Sequence, residues 1–384
     1  MSLDFYNVAE FFTDEEKMIQ KTVRDFIQKE VIPNIATWYE KAEFPRHLIS
    51  KMADLGLLGA NLEGYGCAGL GPTAYGLILQ ELEAGDSGLR SFVSVQGALV
   101  MYPIYAFGSD AQKEKWLPGL QQGKKIGCFG LTEPTSGSNP GGMKTTAKKE
   151  GDHYILNGSK YWITNATIAD VCVIWAKTEE GVRGFLVETN RPGVKTEDIK
   201  QKFALRASCT GEVILSDCKI PKENILPKTE GLKSALMCLN QARYGISWGA
   251  IGAAQSCYQQ ALEYTKDREQ FGKPLASKQL IQDKLSWMVQ EITKAQLLAW
   301  RLAKLKETGQ MKHYQISLAK KNNVWMALEI ARMSRDMLGA NGTTYDYHVG
   351  RHMCNLEAVK TYEGTHDIHS LVVGEAVTGI SAYR

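Results

Sequence analysis

Glu363 stands between Tyr362 and Gly364 in the stretch Thr361–Asp367, just ahead of a helix expected to begin near Thr365. A lone Glu beside Gly is usually a surface residue. A permissive Gly can also let a carboxylate project into an interior cleft, where it could serve as a general base. Ser87, Arg90, Ser91 and Ser94 share one face of a helix whose other positions are Leu89, Phe92, Val93 and Leu99. Such a stripe either faces water or, if buried, needs a partner such as an anionic group. Phe129–Ser138 is dense in hydroxyls and glycines, and Trp162-Ile163-Thr164 sets an indole beside a hydroxyl. A polar loop with an indole can hold a flat polar ring or a phosphate, although hairpin connections and half-buried strand tryptophans look the same. In Asp267–Leu275, Arg268 could grip a pyrophosphate while Phe271 packs on a base, or the stretch could be a solvated loop.

Other spacings suggest less. Gly64-x-Gly66-x-x-Gly69 with Glu83 downstream imitates a dinucleotide fingerprint, but a helix precedes it where a strand is required, so a surface turn is expected. His348 and His352 lie four apart, and His366 and His369 three apart, yet Val349 follows His348 and no carboxylate or cysteine cluster completes a metal shell.

Three composition zones must position these residues. From Phe11 to about Gly123 the apolar pattern is helical, with Thr13 and Glu16 forming a capping-box signature ahead of Met18, Ile19, Val23, Phe26 and Ile27. From about Ile126 to Ile225 the period shortens. Asn157-Gly158 reads as a hairpin turn between Tyr154–Leu156 and Tyr161–Thr164, and an antiparallel β domain is expected. From about Leu232 the chain is helical again in four long segments, which reads as a four-helix bundle. The expected domains are 1–125, 126–228 and 229–384, an α+β multidomain protein.

The chain has 384 residues with 45 basic and 42 acidic side chains, a formal charge of +3 that is too balanced for a nucleic-acid or membrane-surface binder. Its eight cysteines form no C-x-x-C pair, which excludes a zinc knuckle and argues for free thiols in a reducing compartment. No apolar run spans a bilayer and the N-terminus reads as neither signal nor transit peptide, so a soluble intracellular protein is expected.

Taken jointly, Phe129–Ser138, Trp162–Thr164, Arg268–Leu275 with Gln279, Asp336–Ala340 and Tyr362–Asp367 resemble the acyl-CoA dehydrogenase family over essentially the whole chain. The resemblance implies FAD as cofactor, an electron-transfer flavoprotein as acceptor, and a homotetramer built as a dimer of dimers. It implies that Phe129, Leu131, Thr132, Gly137, Ser138, Trp162, Ile163 and Thr164 line the isoalloxazine. Arg268, Phe271 and Gln279 would reach the FAD of a neighbouring subunit, with Asp336, Met337, Leu338, Gly339 and Ala340 nearby, and Thr365, His366 and Asp367 would also contact cofactor. Ser138, Leu236, Asn240, Arg243, Gly364 and Tyr383 would hold the CoA thioester. Some members carry the catalytic Glu immediately before the Arg of the bundle's first helix. Here Ala242 precedes Arg243, so Glu363 is the implied base, with its own backbone N–H and the FAD ribityl chain polarising the thioester carbonyl.

Within the family, Gly64–Gly69, Asp86–Ser91, Ala242–Ile246 and Thr361–His369 are most similar to the branch that oxidises glutaryl-CoA. That likeness implies that Arg90 pairs with the substrate's distal carboxylate, with Glu83, Ser91, Ser94 and Tyr362 around it, and that oxidation is followed by decarboxylation to crotonyl-CoA. Three other readings stand beside it: a non-decarboxylating glutaryl-CoA dehydrogenase, a short-chain enzyme for neutral acyl groups, and a catalytically silent acyl-CoA-binding scaffold.

Overall fold

Thr13 opens the first helix, α1 (Asp14–Phe26), with a reciprocal cap: Glu16 N–H donates to Thr13 Oγ1 at 3.2 Å, and Thr13 N–H donates to Glu16 Oε2 at 2.8 Å. Two amides that a helix start leaves orphaned are thereby satisfied. A π-turned run, Ile27–Val31, carries the chain towards Pro33. In the computed structural model, which describes residues 4–383, α2 (Ile35–Lys41), α3 (Leu48–Asp54), α4 (Pro72–Gly85) and α5 (Ser87–Ser94) follow. The glycine-rich stretch before α4 is an exposed turn. From α5 a π-helical run, Val95–Met101, leads directly into α6 (Tyr102–Phe107), and α7 (Asp110–Gln121) completes the helical zone. Helix α4 is buried on every side from Thr73 to Glu83, which makes it a central strut.

The middle zone holds β1 (Gly127–Gly130), β2 (Thr146–Glu150), β3 (His153–Thr164), β4 (Val171–Thr178), β5 (Gly181–Glu188), β6 (Val194–Asp198) and β7 (Thr210–Pro221) in one sheet. Two expectations need correction. The sheet is mixed, because β1 runs parallel to β4, with Cys128 opposite Cys172, and β2 meets β4 in parallel at Thr146 and Lys177. The chain between β1 and β4 is long enough for the crossover that parallel pairing requires. Asn157-Gly158 is not a turn either. It lies inside β3 at a register shift against β7. Asn157 Nδ2 donates to Asp217 Oδ1 at 2.9 Å while Asp217 N–H donates to Asn157 Oδ1 at 2.8 Å. Gly158 has φ 146°, and a Cβ there would sit 2.7 Å from Thr145 Cα. A bulge and a tight turn demand the same residue types, and only the long-range partner separates them.

The C-terminal zone is α8 (Gly231–Asp267), a short hairpin of β8 (Glu269–Gln270) and β9 (Lys273–Pro274), then α9 (Gln279–Glu307), α10 (His313–Met337), α11 (His348–Thr361) and α12 (His366–Thr378). The last of the four expected segments is thus broken between α11 and α12, at Glu363. Helix α8 lies hard against α4: a Cβ on Gly252 would meet Gln80 O at 1.8 Å, and one on Gly249 would meet Glu83 Oε2 at 2.0 Å. One apolar core joins α1, α4, α5 and α8 to α11. A second joins the π-helical run to β1, β4 and the start of α8, and a third fills the sheet. All eight cysteines are free. No described helix is long and apolar enough to cross a membrane.

Candidate active site

Between α11 and α12 the backbone turns sharply. Glu363 takes φ 52° and Gly364 takes φ 93°. A left-handed non-glycine residue costs about 1–3 kcal/mol, so its surroundings must hold it there. They do so through three successive carbonyls. Lys320 Nζ, from α10, donates to Tyr362 O and, at 2.6 Å, to Gly364 O. Arg243 Nε, from α8, donates to Glu363 O at 2.7 Å. Thr365 then caps α12, its Oγ1 accepting from Ile368 N–H at 3.2 Å. Glu363 Oε2 is buried with no hydrogen-bond partner among the described residues. Burial raises the Glu363 pKa against the opposing pull of Arg90, Lys320 and Arg243. Burial also brings Lys320 down to about 7. A carboxylate stripped of water and donors is a stronger base than one at the surface.

The stripe on α5 is buried, which removes its water-facing alternative. Arg90 is 1 % exposed and Glu83, from the last turn of α4, is 0 % exposed. Arg90 Nε donates to Glu83 Oε2 at 2.6 Å, and Arg90 Nη2 donates to Tyr362 Oη. Ser87 Oγ donates to the other Glu83 oxygen at 2.8 Å, and Ser91 Oγ lies 3.3 Å from Tyr362 Oη. Ser94 Oγ is buried with no hydrogen-bond partner among the described residues. Burial alone would lower the Arg90 pKa, but Glu83 and Tyr362 outweigh it and the guanidinium stays charged. A guanidinium carries five N–H donors, so these two bonds leave capacity for an anion. Tyr362 therefore links the two halves of the site: its hydroxyl belongs to the Arg90 cluster and its carbonyl to the Glu363 turn.

On the sheet side, Phe129 and Leu131 are buried in the core they share with Leu99, Leu239 and Ala242. Thr132 O accepts from Tyr161 N–H at 2.9 Å, which ties the loop to β3. Beneath it, Lys160 Nζ donates to Glu133 Oε1 at 2.8 Å and Leu131 O at 3.1 Å. Glu133 also accepts Lys144 N–H at 2.6 Å and Thr145 N–H at 2.9 Å. Gly137 and Ser138 are exposed above this anchor. A second bulge in β3 places Trp162 at φ 61° and leaves it 58 % exposed, while Ile163 turns inward and Thr164 pairs with Thr210. An outward indole beside an exposed loop of glycines and hydroxyls suits a flat polar heterocycle, which would cover its apolar face.

The remaining expected residues are spread more widely. Arg268 and Phe271 sit on the β8–β9 hairpin, with Phe271 at φ 56° and 95 % exposed, and Gln279 is exposed at the start of α9. No hydrogen bond joins them to the Glu363 turn among the described residues. Asp336 pairs with Lys284 at 2.9 Å, and Gly339 and Ala340 are exposed. Met337 and Leu338 bury their side chains in the helical core, so they offer a ligand only backbone. Leu236 is partly exposed on α8, where Asn240 Oδ1 accepts from Arg243 Nη1 at 3.4 Å. His366 and Asp367 open α12, and Tyr383 Oη donates to Glu375 Oε2 at 2.6 Å. His352 is a buried imidazole held uncharged by burial, and among the described residues no group of three potential metal ligands converges. Sequence reasoning missed Lys320, Lys160 and the anchoring role of Glu133. Lys320 left a signal, since it falls in the buried stripe Ile316, Ser317, Asn323, Val324, Ala327.

Residues 13–124, 128–218 and 229–378 match the acyl-CoA dehydrogenase N-terminal, middle and C-terminal domain models. The chain belongs to the acyl-CoA dehydrogenase family. It is similar to glutaryl-CoA dehydrogenase from Mycobacterium smegmatis, whose crystal structure is 51 % identical with a TM-score of 0.99 and full coverage of both chains (100 % each). A glutaryl-CoA dehydrogenase from the same organism, in complex with FADH2, is 48 % identical with a TM-score of 0.99, covering 100 % of this chain and 99 % of that one. The mitochondrial short-chain specific acyl-CoA dehydrogenase of Rattus norvegicus is 36 % identical over 367 residues, 94 % of this chain and 89 % of that protein.

Proposed function

We propose that this acyl-CoA dehydrogenase oxidises glutaryl-CoA at its α and β carbons and then releases CO2, giving crotonyl-CoA. The observation that carries the reading is the buried Arg90, partnered by Glu83 and Tyr362 one residue from Glu363. A neutral acyl tail gives no reason to keep a guanidinium out of water, whereas a substrate with a distal carboxylate does. The similar glutaryl-CoA dehydrogenase structures support it.

The cofactor is FAD, which supplies the two-electron acceptor for the β-hydrogen when bound. Phe129, Leu131, Thr132, Gly137, Ser138, Trp162, Ile163, Thr164 and the start of α12 are the residues we assign to holding it, with Arg268, Phe271, Gln279 and the 336–340 segment reaching across from a neighbouring subunit of a tetramer. Glu363 removes the α-proton, and its backbone N–H helps to polarise the thioester carbonyl. Arg90, Ser91, Ser94 and Tyr362 orient the far carboxylate, while Leu236, Asn240, Arg243, Gly364 and Tyr383 serve the thioester and its CoA. When the γ-carboxylate leaves as CO2, its bonding pair passes into the conjugated thioester. The resulting dienolate takes back the proton that Glu363 holds. Electrons then pass to an electron-transfer flavoprotein.

A second reading has its own support: Glu83 already neutralises Arg90, so the pair could wall off a short neutral acyl pocket, as the likeness to the short-chain enzyme allows. Anaerobic bleaching of the flavin with glutaryl-, butyryl- and hexanoyl-CoA, followed by product analysis, decides. The proposal expects glutaryl-CoA to bleach fastest and to yield crotonyl-CoA with one equivalent of CO2. Faster bleaching by butyryl-CoA overturns the substrate, and accumulation of glutaconyl-CoA overturns the decarboxylation.

A further inference from the structure

We infer that Lys320 is a positioning residue that aims the backbone N–H of Glu363 at the substrate's thioester carbonyl, an inference that rests on the proposed acyl-CoA chemistry. Lys320 is 1 % exposed, and its ammonium spans the catalytic turn, donating to Tyr362 O on one side of Glu363 and to Gly364 O on the other. The peptide plane does the rest. In a trans peptide the carbonyl of Tyr362 and the N–H of Glu363 belong to one rigid plane and point in opposite directions. Drawing Tyr362 O towards α10 therefore turns the Glu363 N–H away from α10. That N–H has no partner among the described residues. Gly364 O, held by the same ammonium, fixes the following plane. Arg243 Nε takes Glu363 O from the α8 side at 2.7 Å. Two buried cations on two helices thus set the three carbonyls that decide where the left-handed Glu363 presents both its donor and its carboxylate.

A buried ammonium is an expensive way to hold a turn, since an uncharged side chain would avoid the desolvation. Its separation from the carbonyl it serves, through one peptide plane, gives the expense a use. A donor aimed in advance at the developing oxyanion contributes more than one that must reorient during the reaction. Lys320 also lies 5.7 Å from the centre of the Tyr362 ring, so it steadies the residue that joins the turn to Arg90.

The test uses the FAD-loaded protein and butyryl- or glutaryl-CoA labelled with 13C at the thioester carbonyl. Bound to wild type, the carbonyl stretch should fall below its frequency in water. In Lys320→Met that downshift should be largely lost, kcat should fall roughly a hundredfold, and KM should change little. Lys320→Gln, which keeps a neutral donor for one carbonyl, should recover part of both. It also carries the test if the Met variant does not fold. A purely structural Lys320 would lower the melting temperature while leaving the carbonyl frequency and kcat of the folded fraction as in wild type, and that result overturns the inference. If wild type itself bleaches with no acyl-CoA, the proposed function fails instead.

Discussion

Arg90 Nε lies 2.6 Å from Glu83 Oε2 with both side chains withdrawn from water, so the guanidinium already holds one carboxylate partner. Deleting Arg90 alone would strand Glu83 in the interior, which costs about 3–5 kcal/mol and confuses recognition with folding. The informative variant is Arg90→Met combined with Glu83→Gln. It should keep the melting temperature near that of wild type and retain butyryl-CoA turnover while losing about 2–4 kcal/mol of glutaryl-CoA recognition. Equal losses for both substrates in kcat/KM would make the pair structural.

Glu363 ties stability to pH with a definite sign. Burial holds its folded pKa above the ordinary 4.5. A raised carboxylate favours folding only while protonated, so its contribution is full below about pH 4.5 and is lost as the pH rises through the raised value. Glu363→Gln cannot ionise. It should therefore melt higher than wild type at alkaline pH, with the gap closing on acidification. Flavin reduction by wild type should climb with pH through the same range, whereas the variant should be slower by roughly a thousandfold or more and keep its FAD. Near-normal bleaching of the variant removes Glu363 from the mechanism.

Tyr362 should govern the fate of the oxidised product. Its hydroxyl shares Arg90 with Glu83, and in the proposed reaction this sharing would keep the distal carboxylate from being locked in an ion pair too strong to leave as CO2. In Tyr362→Val the product should shift towards glutaconyl-CoA while flavin reduction survives. Chromatography of the acyl-CoA products checks this, and unchanged crotonyl-CoA yield contradicts it.

Arg268 and Phe271 sit on an outward hairpin, with Phe271 95 % exposed in a left-handed conformation. An aromatic ring held there pairs poorly with water, which fits a site completed by a second copy. Arg268→Ala and Phe271→Ala should each lower FAD retention on gel filtration, together with the mass of the assembly. A fully FAD-loaded wild-type monomer contradicts the shared site.

Much of this was legible in the chain because the signals are local. Thr13 and Glu16 form the cap their spacing promised, and Arg90 shares a helix face with three serines because helical periodicity fixes it. The failures are non-local. Asn157 and Gly158 have turn chemistry, yet Asp217, sixty residues away, makes them a bulge. Helical phase sets Lys320 in the stripe of Ile316, Ser317, Asn323 and Val324, but its partners Tyr362 and Gly364 lie more than forty residues further on, where no short window reaches. The parallel pairing of β1 with β4 depends on strands brought together across an intervening hairpin, which no short window contains.

Gly249 has a consequence for selectivity. With the α8 backbone resting on the Arg90–Glu83 pair, a methyl group there would collide with Glu83 Oε2, so behind the guanidinium there is no slack and no side chain that could rotate aside. The floor behind Arg90 is set by the spacing of two packed helices, which thermal motion does not readily change. Under the proposed function such a floor would act as a depth gauge: a diacid thioester one methylene shorter should stop before reaching the guanidinium, and one a methylene longer should have to buckle.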